Sequence, residues 1–137
     1  MAPRSSYPLD MTSAIDTLVD EARRAYGEGR LEEALRLCEQ LVEQAPERPE
    51  GHNISGKVAL DRSEFERALA LFERAQALDP EHIFSAMNRA LALFQLRRYD
   101  ETEAALEHVL NLDGSERVRN KAREVLGALR NPAFVRR

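Results

Sequence analysis

The chain has 137 residues, 43% of them hydrophobic and 32% charged, which suits one soluble folded domain. Its apolar runs are too short to span a membrane, no secretory signal pattern is present, and its single cysteine excludes an intrachain disulfide, so we expect a cytoplasmic protein without membrane insertion. The net charge of −4 is unevenly distributed, because residues 115–137 carry +5 and the rest carries −9.

The first pair of predicted helices follows a short leader. Residues 1–11 contain two prolines and two serines without periodicity, so we expect them to be disordered. The first helix is predicted to begin near Ser13, which has capping-box-like spacing to Asp16, and to end at a glycine-rich turn. A second helix is predicted over 31–44. Cys38 lies on its apolar stripe, so we expect a buried structural thiol rather than a reactive one.

Four further amphipathic segments follow the first pair. Apolar side chains recur in them at intervals of three and four residues, as on one face of an α-helix. The predicted helices cover 50–61, 64–78, 81–96 and 99–112. Pro46, Pro80 and Gly114 close the three successive helix pairs, since proline and glycine interrupt helices.

The three helix pairs repeat with a period of 34 residues. The matching positions are Leu31, Phe65 and Tyr99; Ala34, Ala68 and Thr102; Cys38, Phe72 and Leu106; and Leu41, Ala75 and Val109. A small residue, Ala22, Gly56 or Ala90, occupies one phase of the first helix in each pair, where it lets the second helix approach closely. A fixed period with the same side-chain sizes at the same phase indicates a repeat architecture.

The sequence resembles the tetratricopeptide repeat family in the order of its pattern residues. Each repeat has a small residue, a turn, an aromatic residue or leucine, an alanine, a large apolar residue and a closing proline, with the exceptions named below. The resemblance covers residues 13–114, about three quarters of the chain. Four positions depart from the family pattern. Leu18 and His52 stand where the family often has tryptophan, Thr102 replaces alanine, and Gly114 replaces proline.

This resemblance implies an all-α fold, a right-handed α-solenoid of three antiparallel helix pairs. We expect a domain over 12–130, with repeats over 13–46, 47–80 and 81–114 and a seventh helix over 115–130. That helix breaks the pattern, because Glu124 and Gly127 occupy the small-residue positions, and its outer face is charged. We predict that it caps the last repeat through the stripe Val118, Ala122, Val125, Leu126 and Leu129. A tail over 131–137 carries the apolar pair Phe134 and Val135.

No pattern in the sequence supports catalysis. His52, His82 and His108 lie in different elements without the spacing of a metal site, and there is no glycine-rich phosphate loop or recognisable nucleophile. We therefore predict no enzyme activity, no metal and no cofactor. The basic segment 115–137 is interpreted as a solvated helix face, so we also predict no nucleic-acid binding.

In the resembled family, the first helix of each repeat lines a concave groove that binds extended or helical peptides. The resemblance implies a groove formed by Asp16, Val19, Arg23, Tyr26, Glu50, Asn53, Lys57, Leu60, Phe84, Met87, Asn88, Leu91 and Gln95. We expect Phe84 and Met87 to face this groove rather than the core, because methionine and phenylalanine are effective at binding surfaces. Leu91 fits the groove and the core equally well.

Some family members clamp a partner's C-terminal carboxylate with lysine, arginine and asparagine on this face. Only Asn88 matches such a clamp, because Lys57 stands where it has asparagine and Asn53 where it has lysine, so we expect none here. The sequence predicts a non-enzymatic protein–protein interaction module, an adaptor or scaffold that binds a partner peptide or helix in the groove. The alternative is a scaffold that self-assembles into a homo-oligomer, or a chaperone-like protein that shields an apolar partner segment.

Overall fold

The computed structural model describes residues 9–134, with side chains from Met11 onward. All regular structure in that part of the chain is helical. The helices are α1 (Leu9–Gly27), α2 (Leu31–Gln44), α3 (Glu50–Asp61), α4 (Phe65–Leu78), α5 (Ile83–Gln95), α6 (Tyr99–Leu110) and α7 (Glu116–Arg130). The predicted all-α architecture, with three helix pairs and a seventh helix, is confirmed. Apart from the start of α1, the predicted boundaries agree with the structure to within two residues.

Helix α1 begins at Leu9, four residues before its predicted start. Ser13 therefore lies inside the helix, where its carbonyl oxygen accepts a hydrogen bond from Thr17 Oγ1 at 3.0 Å, and the capping role predicted from its spacing is wrong. A helix propagates beyond its buried stripe once it is nucleated, so the apolar pattern did not mark this end. Of the leader predicted to be disordered, residues 1–8 lie outside the described residues, and 9–11 are helical.

The helices stack in chain order, each packing against the next. The backbones of the odd-numbered helices α1, α3, α5 and α7 also approach one another in series, whereas within residues 9–134 those of the even-numbered helices do not come as close. Neighbouring repeats are therefore closer together on the side of the odd-numbered helices. In a repeat protein this is the concave side. We call the surface presented by α1, α3 and α5 the inner face.

Close packing within each helix pair depends on the predicted small residues. Ala22 and Ala90 are completely buried. A Cβ atom added at Gly56 would lie 2.5 Å from Cε1 of Phe72 on α4, closer than packed carbon atoms tolerate. The ring of Phe72 therefore rests directly on the backbone of α3, as the pattern of small and large residues predicted.

The turns inside the three helix pairs share one conformation. Gly29, Ser63 and Arg97 are 34 residues apart, and all have positive φ angles, of 77°, 61° and 62°. In each turn, the amide of this residue donates to the carbonyl three residues earlier, and the next amide donates to the carbonyl five residues earlier, at 2.8–3.0 Å. These paired bonds form the Schellman motif, which ends a helix on a left-handed residue.

Ser63 therefore ends α3 rather than starting α4. Glu64 is the residue that precedes the fourth helix, and its side chain does not cap the first amides of that helix. The positive φ of Ser63 marks the turn of the chain between the two helices.

Two departures from the repeat pattern have local explanations. Thr102 is completely buried in place of alanine, and its Oγ1 donates to the Arg98 carbonyl oxygen at 2.7 Å, so the hydroxyl is satisfied inside its own helix. Gly114, in place of proline, has a φ of 135°, and a Cβ atom there would lie 3.1 Å from Cγ2 of Ile83. Glycine suits a position with this backbone angle and this close neighbour.

Helix α7 packs against α6 and α5 and buries Ala122, Leu126 and Leu129. After it the chain turns back, and the ring of Phe134 packs edge-on against Tyr99, with the two ring centroids 5.2 Å apart. The apolar tail residue Phe134 thus joins the core at the turn between α5 and α6. Its predicted partner Val135 lies outside the described residues.

Candidate functional site

The thirteen predicted groove positions all lie on α1, α3 and α5. Those that are exposed to solvent are Asp16, Arg23, Phe84 and Gln95, and those that are partly exposed are Tyr26, Glu50, Lys57, Leu60, Asn88 and Leu91. The buried ones are Val19, Asn53 and Met87. The structure therefore brings these residues to three adjacent helices, but not all of them reach the surface.

Met87 and Val19 belong to the core. Met87 is only 6% exposed and lies in the same buried cluster as Phe72, and Val19 is 2% exposed. The prediction that Met87 faces the groove rather than the core is wrong. A step of three residues from Phe84 rotates about 60° around the helix axis, which turns Met87 inward while Phe84 stays outside. Leu91 is half-buried and packs against the same core.

Phe84 is a large apolar side chain of α5 that is exposed to solvent on the inner face. It is 45% exposed in the first turn of α5. Its ring is held edge-on by His82, with centroids 5.8 Å apart. An aromatic ring that is fixed on one edge and free on its face provides a contact surface for an apolar side chain.

A polar cluster lies where α1 meets α3. Tyr26 Oη donates to Asp61 Oδ2 at 2.7 Å, and Lys57 Nζ lies 4.4 Å from the centre of the Tyr26 ring. Burial, the hydrogen bond to Asp61 and the charge of that carboxylate raise the pKa of Tyr26 to about 12. The phenol therefore stays protonated and remains a donor at neutral pH.

Lys57 is a half-buried cation beside the Tyr26 ring. Within the described part of the chain, no carboxylate lies within salt-bridge distance of its Nζ, although Asp61 is close enough to favour its charged form. Burial lowers the pKa of Lys57, and the nearby Arg23 lowers it further. The cation–π contact with Tyr26 compensates part of this desolvation.

The start of α3 is fastened to α1 by Arg48. Its Nη1 lies 3.0 Å from Asp16 Oδ1, and its Nη2 lies 2.8 Å from Glu50 Oε2. Burial by itself would raise the pKa of Glu50, but the hydrogen bonds and charge of Arg48 outweigh it and hold that pKa below its usual range. Asp16 and Glu50 are thus engaged in joining the repeats.

The asparagine pair joins α3 to α5. Asn88 Nδ2 donates to Asn53 Oδ1 at 3.0 Å, and Asn53 is buried. Asn88, which alone matched the carboxylate clamp, therefore already has a partner inside the molecule. The amide–amide contact fixes the spacing of the two repeats at the centre of the inner face.

Sequence reasoning missed several residues that support or border this face, namely Arg48, Asp61, His82 and Ser85. One signal was available: Tyr26 and Asp61 are 35 residues apart, as are Asn53 and Asn88. A residue on the inner face of one repeat thus meets the residue one full period plus one position later. Complementary polar pairs at that spacing would have indicated these two hydrogen bonds.

A second concavity lies on the opposite side of the stack. A cleft of about 490 Å³ separates α2 from α4, with Val58 and Ala59 of α3 at its base and Leu35 and Leu71 on its walls. Charged side chains of both signs surround it. Cys38 lies in the neighbouring core, where burial raises the pKa of its thiol. The prediction that this cysteine is buried is confirmed.

The inner face offers groups that suit the recognition of a ligand. In that part of the chain, no three histidine, cysteine, aspartate or glutamate side chains lie together as a metal site would need. Between residues 9 and 134, none of the helices has the length and apolar character needed to cross a bilayer. The inner face instead presents an aromatic ring, an ammonium group and a guanidinium group to solvent.

Comparison with known proteins identifies the family. A model of the tetratricopeptide repeat matches residues 19–83, and a second such model matches residues 85–116. The chain belongs to the tetratricopeptide repeat family. The resemblance to this family found in the sequence pattern is thereby confirmed.

Solved tetratricopeptide repeat structures share this fold. The chain is similar to the first TPR of Spaghetti (RPAP3) bound to the HSP90 peptide SRMEEVD, at 21% identity and a TM-score of 0.71, over 84% of this chain and 92% of that one. It is also similar to the TPR2B domain of yeast Sti1 in complex with pHsp70, at 20% identity and a TM-score of 0.68, over 82% and 93% of the two chains.

A third similar structure is the Yersinia enterocolitica type III secretion chaperone SycD in complex with a peptide of the translocator YopD. The identity is 16% and the TM-score is 0.76, over 85% of this chain and 92% of that one. At these low identities the likenesses establish the fold. The identity of any ligand of this tetratricopeptide repeat protein must be argued from its own surface.

Proposed function

We propose that this tetratricopeptide repeat protein is a non-enzymatic interaction module, a cytoplasmic adaptor that binds a segment of a partner protein on its inner face. The observation that carries this proposal is the exposed ring of Phe84 on the same face as the Lys57 ammonium, which has no ion-pair partner among residues 11–134. An exposed aromatic side chain and a partly desolvated, unpaired cation each gain free energy when a partner covers them.

The rigidity of the inner face supports binding without a large rearrangement. Arg48 joins α1 to α3, Asn88 joins α5 to α3, and Tyr26 bonds to Asp61 across the first two repeats. These contacts hold the odd-numbered helices at fixed spacing before any partner arrives. A surface that is already ordered loses less conformational entropy on binding, so more of the contact energy appears as affinity.

The chemistry of the face favours a segment with two features. One is an apolar side chain that packs on Phe84, and the other is an acidic group that reaches Lys57 and Arg23, whose charges are close enough to influence each other. The similar structures with HSP90, Hsp70 and YopD ligands support a peptide as the ligand. The segment can be helical or extended, since proteins recognise peptide segments in both forms.

A protein partner is favoured over nucleic acid by the pairing of the basic residues on α7. Arg119 and Arg123 contact Glu116, Lys121 contacts Glu124, and Arg130 contacts Glu107. These contacts offset much of the positive charge of α7. A nucleic-acid surface needs several basic groups free to neutralise phosphates.

The proposal is tested by selecting peptides from a display library on the wild-type protein and measuring their affinity for three variants. Phe84→Ala removes the exposed ring, and Lys57→Met removes the charge but keeps the length of the side chain. Leu78→Ala is the matched control, because Leu78 is 40% exposed at the end of α4, outside the inner face.

We expect Phe84→Ala to weaken binding about tenfold or more and Leu78→Ala to leave it within about twofold, since loss of a central aromatic contact costs at least ~1.4 kcal/mol. Lys57→Met should weaken the binding of only those peptides that contain aspartate or glutamate. Selected peptides that bind Phe84→Ala as tightly as the wild type would show that the inner face is not the binding surface.

A chaperone-like role is the second candidate, and the similarity to SycD bound to a YopD peptide supports it. An adaptor binds its segment while the partner is folded and active, whereas a chaperone keeps an apolar segment soluble. Light scattering of an aggregating selected segment, with and without this protein, distinguishes the two roles. Suppression at equimolar ratio favours the chaperone, and binding without suppression favours the adaptor.

A further inference from the structure

His82 connects the start of α5 with the contact ring of the inner face. It is the N-cap residue of α5, two residues before Phe84, and its imidazole packs against the Phe84 ring. Histidine is an unusual choice for a helix cap, since serine, threonine, aspartate and asparagine are preferred there. Unlike those residues, its capping atom can be protonated near neutral pH.

The hydrogen bond that His82 accepts from the Ser85 amide requires a neutral ring. Its Nδ1 accepts from the backbone N–H of Ser85 at 3.2 Å, and it lies 2.6 Å from Ser85 Oγ. Ser85 is completely buried, so water cannot replace these contacts. A nitrogen that accepts from an amide carries no proton, which assigns the ring proton to Nε2.

We propose that His82 is a proton switch for the inner face: protonation of Nδ1 removes the cap of α5 and displaces Phe84, so that a ligand held at neutral pH is released in mild acid. This inference rests on the proposed function, because it concerns the regulation of the same surface. A protonated Nδ1 can only donate, and the Ser85 amide then has no acceptor in a buried position.

The charges around His82 come from three elements. Glu50, bound by Arg48, faces it from the start of α3, Arg23 faces it from α1, and Asp79 and Glu81 lie in its own segment. Glu50 and Asp79 favour protonation, whereas Arg23 opposes it. Burial is the largest influence and, with Arg23, lowers the pKa of His82 below its ordinary value of 6.5.

The sign of the pH effect follows from this direction. Because the folded state holds His82 at a lower pKa than the unfolded chain does, the capped state is favoured above the unfolded pKa of 6.5. This contribution is lost as the pH falls through the lower, folded value. Glu50 does not interfere, since Arg48 keeps its pKa below the usual carboxyl range.

The switch can be measured without knowing the ligand, because the chain contains no tryptophan. Phe84→Trp places a single fluorescent reporter at the contact ring. Between about pH 8 and about pH 5, we expect one step in its emission, toward longer wavelength, with a midpoint below 6.5. His82→Asn in the same background keeps a capping side chain that cannot titrate, so its emission should stay constant.

His52→Asn is the matched control, since His52 is the other histidine whose pKa burial lowers, and it should leave the step unchanged. A constant emission in Phe84→Trp, or an equal step in the His82→Asn background, would overturn the switch. If the double variant does not fold, the wild-type chain decides: the Ser85 amide resonance must shift with the His82 ring midpoint, and a Ser85 resonance that does not titrate overturns the proposal.

The outcomes of the two experiments are independent. A failed switch with peptide affinity that still depends on Phe84 at neutral pH leaves the proposed function intact. Loss of the Phe84 dependence at neutral pH removes the proposed function, whatever the emission does.

Discussion

At the scale of the residue, the distance between paired helices is set by whether a Cβ atom is present. Gly56 lets the Phe72 ring rest on the backbone of α3. Gly127 on the outer side of α7 has no neighbour within 4 Å of a Cβ position. The same residue type therefore has opposite roles at two helical positions, and alanine substitutions separate them.

Gly56→Ala should lower the free energy of unfolding by about 1–3 kcal/mol, because the new methyl group overlaps the Phe72 ring. Gly127→Ala should raise it by about 0.5–1 kcal/mol, since alanine loses less conformational entropy in a helix. Urea unfolding of both variants measures these changes. A Gly56→Ala protein as stable as the wild type would contradict the close crossing of α3 and α4.

Phe84 and Met87 are three residues apart but should behave differently. Met87→Ala should cost about 2–5 kcal/mol of stability, because it leaves a cavity in the core. Phe84→Ala should change stability by less than about 1 kcal/mol, since the ring is 45% exposed. Thermal unfolding of the two single variants checks this assignment. Similar losses in both would place Phe84 in the core and remove it from the inner face.

At the scale of the element, the Schellman turns control how each helix pair reverses direction. Only the first of the three turns has glycine at its left-handed position, because Ser63 and Arg97 occupy the equivalent sites. For a residue with a Cβ atom, this conformation costs about 1 kcal/mol of conformational free energy. The second and third turns therefore hold strain that the first avoids.

Arg97→Gly should stabilise the protein by up to about 1 kcal/mol, because glycine removes the strain at the third turn. Gly29→Ala should destabilise it by a similar amount at the first turn, although a Cβ there meets no neighbour within 4 Å. The pair is measured by chemical unfolding. If Gly29→Ala proves neutral, backbone conformation is not what selects glycine at this turn.

The seventh helix is an element outside the repeat pattern. It covers the last helix pair with Ala122, Leu126 and Leu129, and the ring of Phe134 closes the adjoining turn. Its outer face is polar and exposed. This arrangement is what a terminal cap of a solenoid requires, because an uncovered repeat exposes its apolar side.

Removal of residues 115–137 should therefore expose the apolar side of α6 and cause aggregation or a marked loss of stability. A chain ending at 131, which lacks only the tail with Phe134, is the control and should lose less. Light scattering and thermal unfolding compare the two. A 1–114 fragment that remains soluble and equally stable would show that α7 does not cap the stack.

At the scale of the whole molecule, most of the fold could be predicted from the repeat period of the sequence. The 34-residue repeat of side-chain sizes predicts the number of helices, their pairing and most of their boundaries. It does so because each repeat must bury the same face against its neighbours. The start of α1 escaped prediction, since Leu9–Gly27 extends beyond the buried stripe that the pattern detects.

The inner face was less predictable than the fold. The family register placed all thirteen residues on the correct helices. Whether a side chain points to the surface or to the core depends on differences of about 60° around the helix axis, which residue spacing alone does not resolve. Met87 is the example. The contacts Tyr26–Asp61 and Asn53–Asn88 connect different repeats. They depend on the stagger between repeats, which is a property of the stack rather than of any one helix.

The central claim is that ligands bind the inner face rather than the outer cleft between α2 and α4. It is tested most directly by mapping the amide resonances that shift when a selected peptide is added to the full chain. The account predicts shifts concentrated on α1, α3 and α5, around Tyr26, Lys57 and Phe84. Shifts confined to α2 and α4, around Leu35 and Leu71, would contradict it.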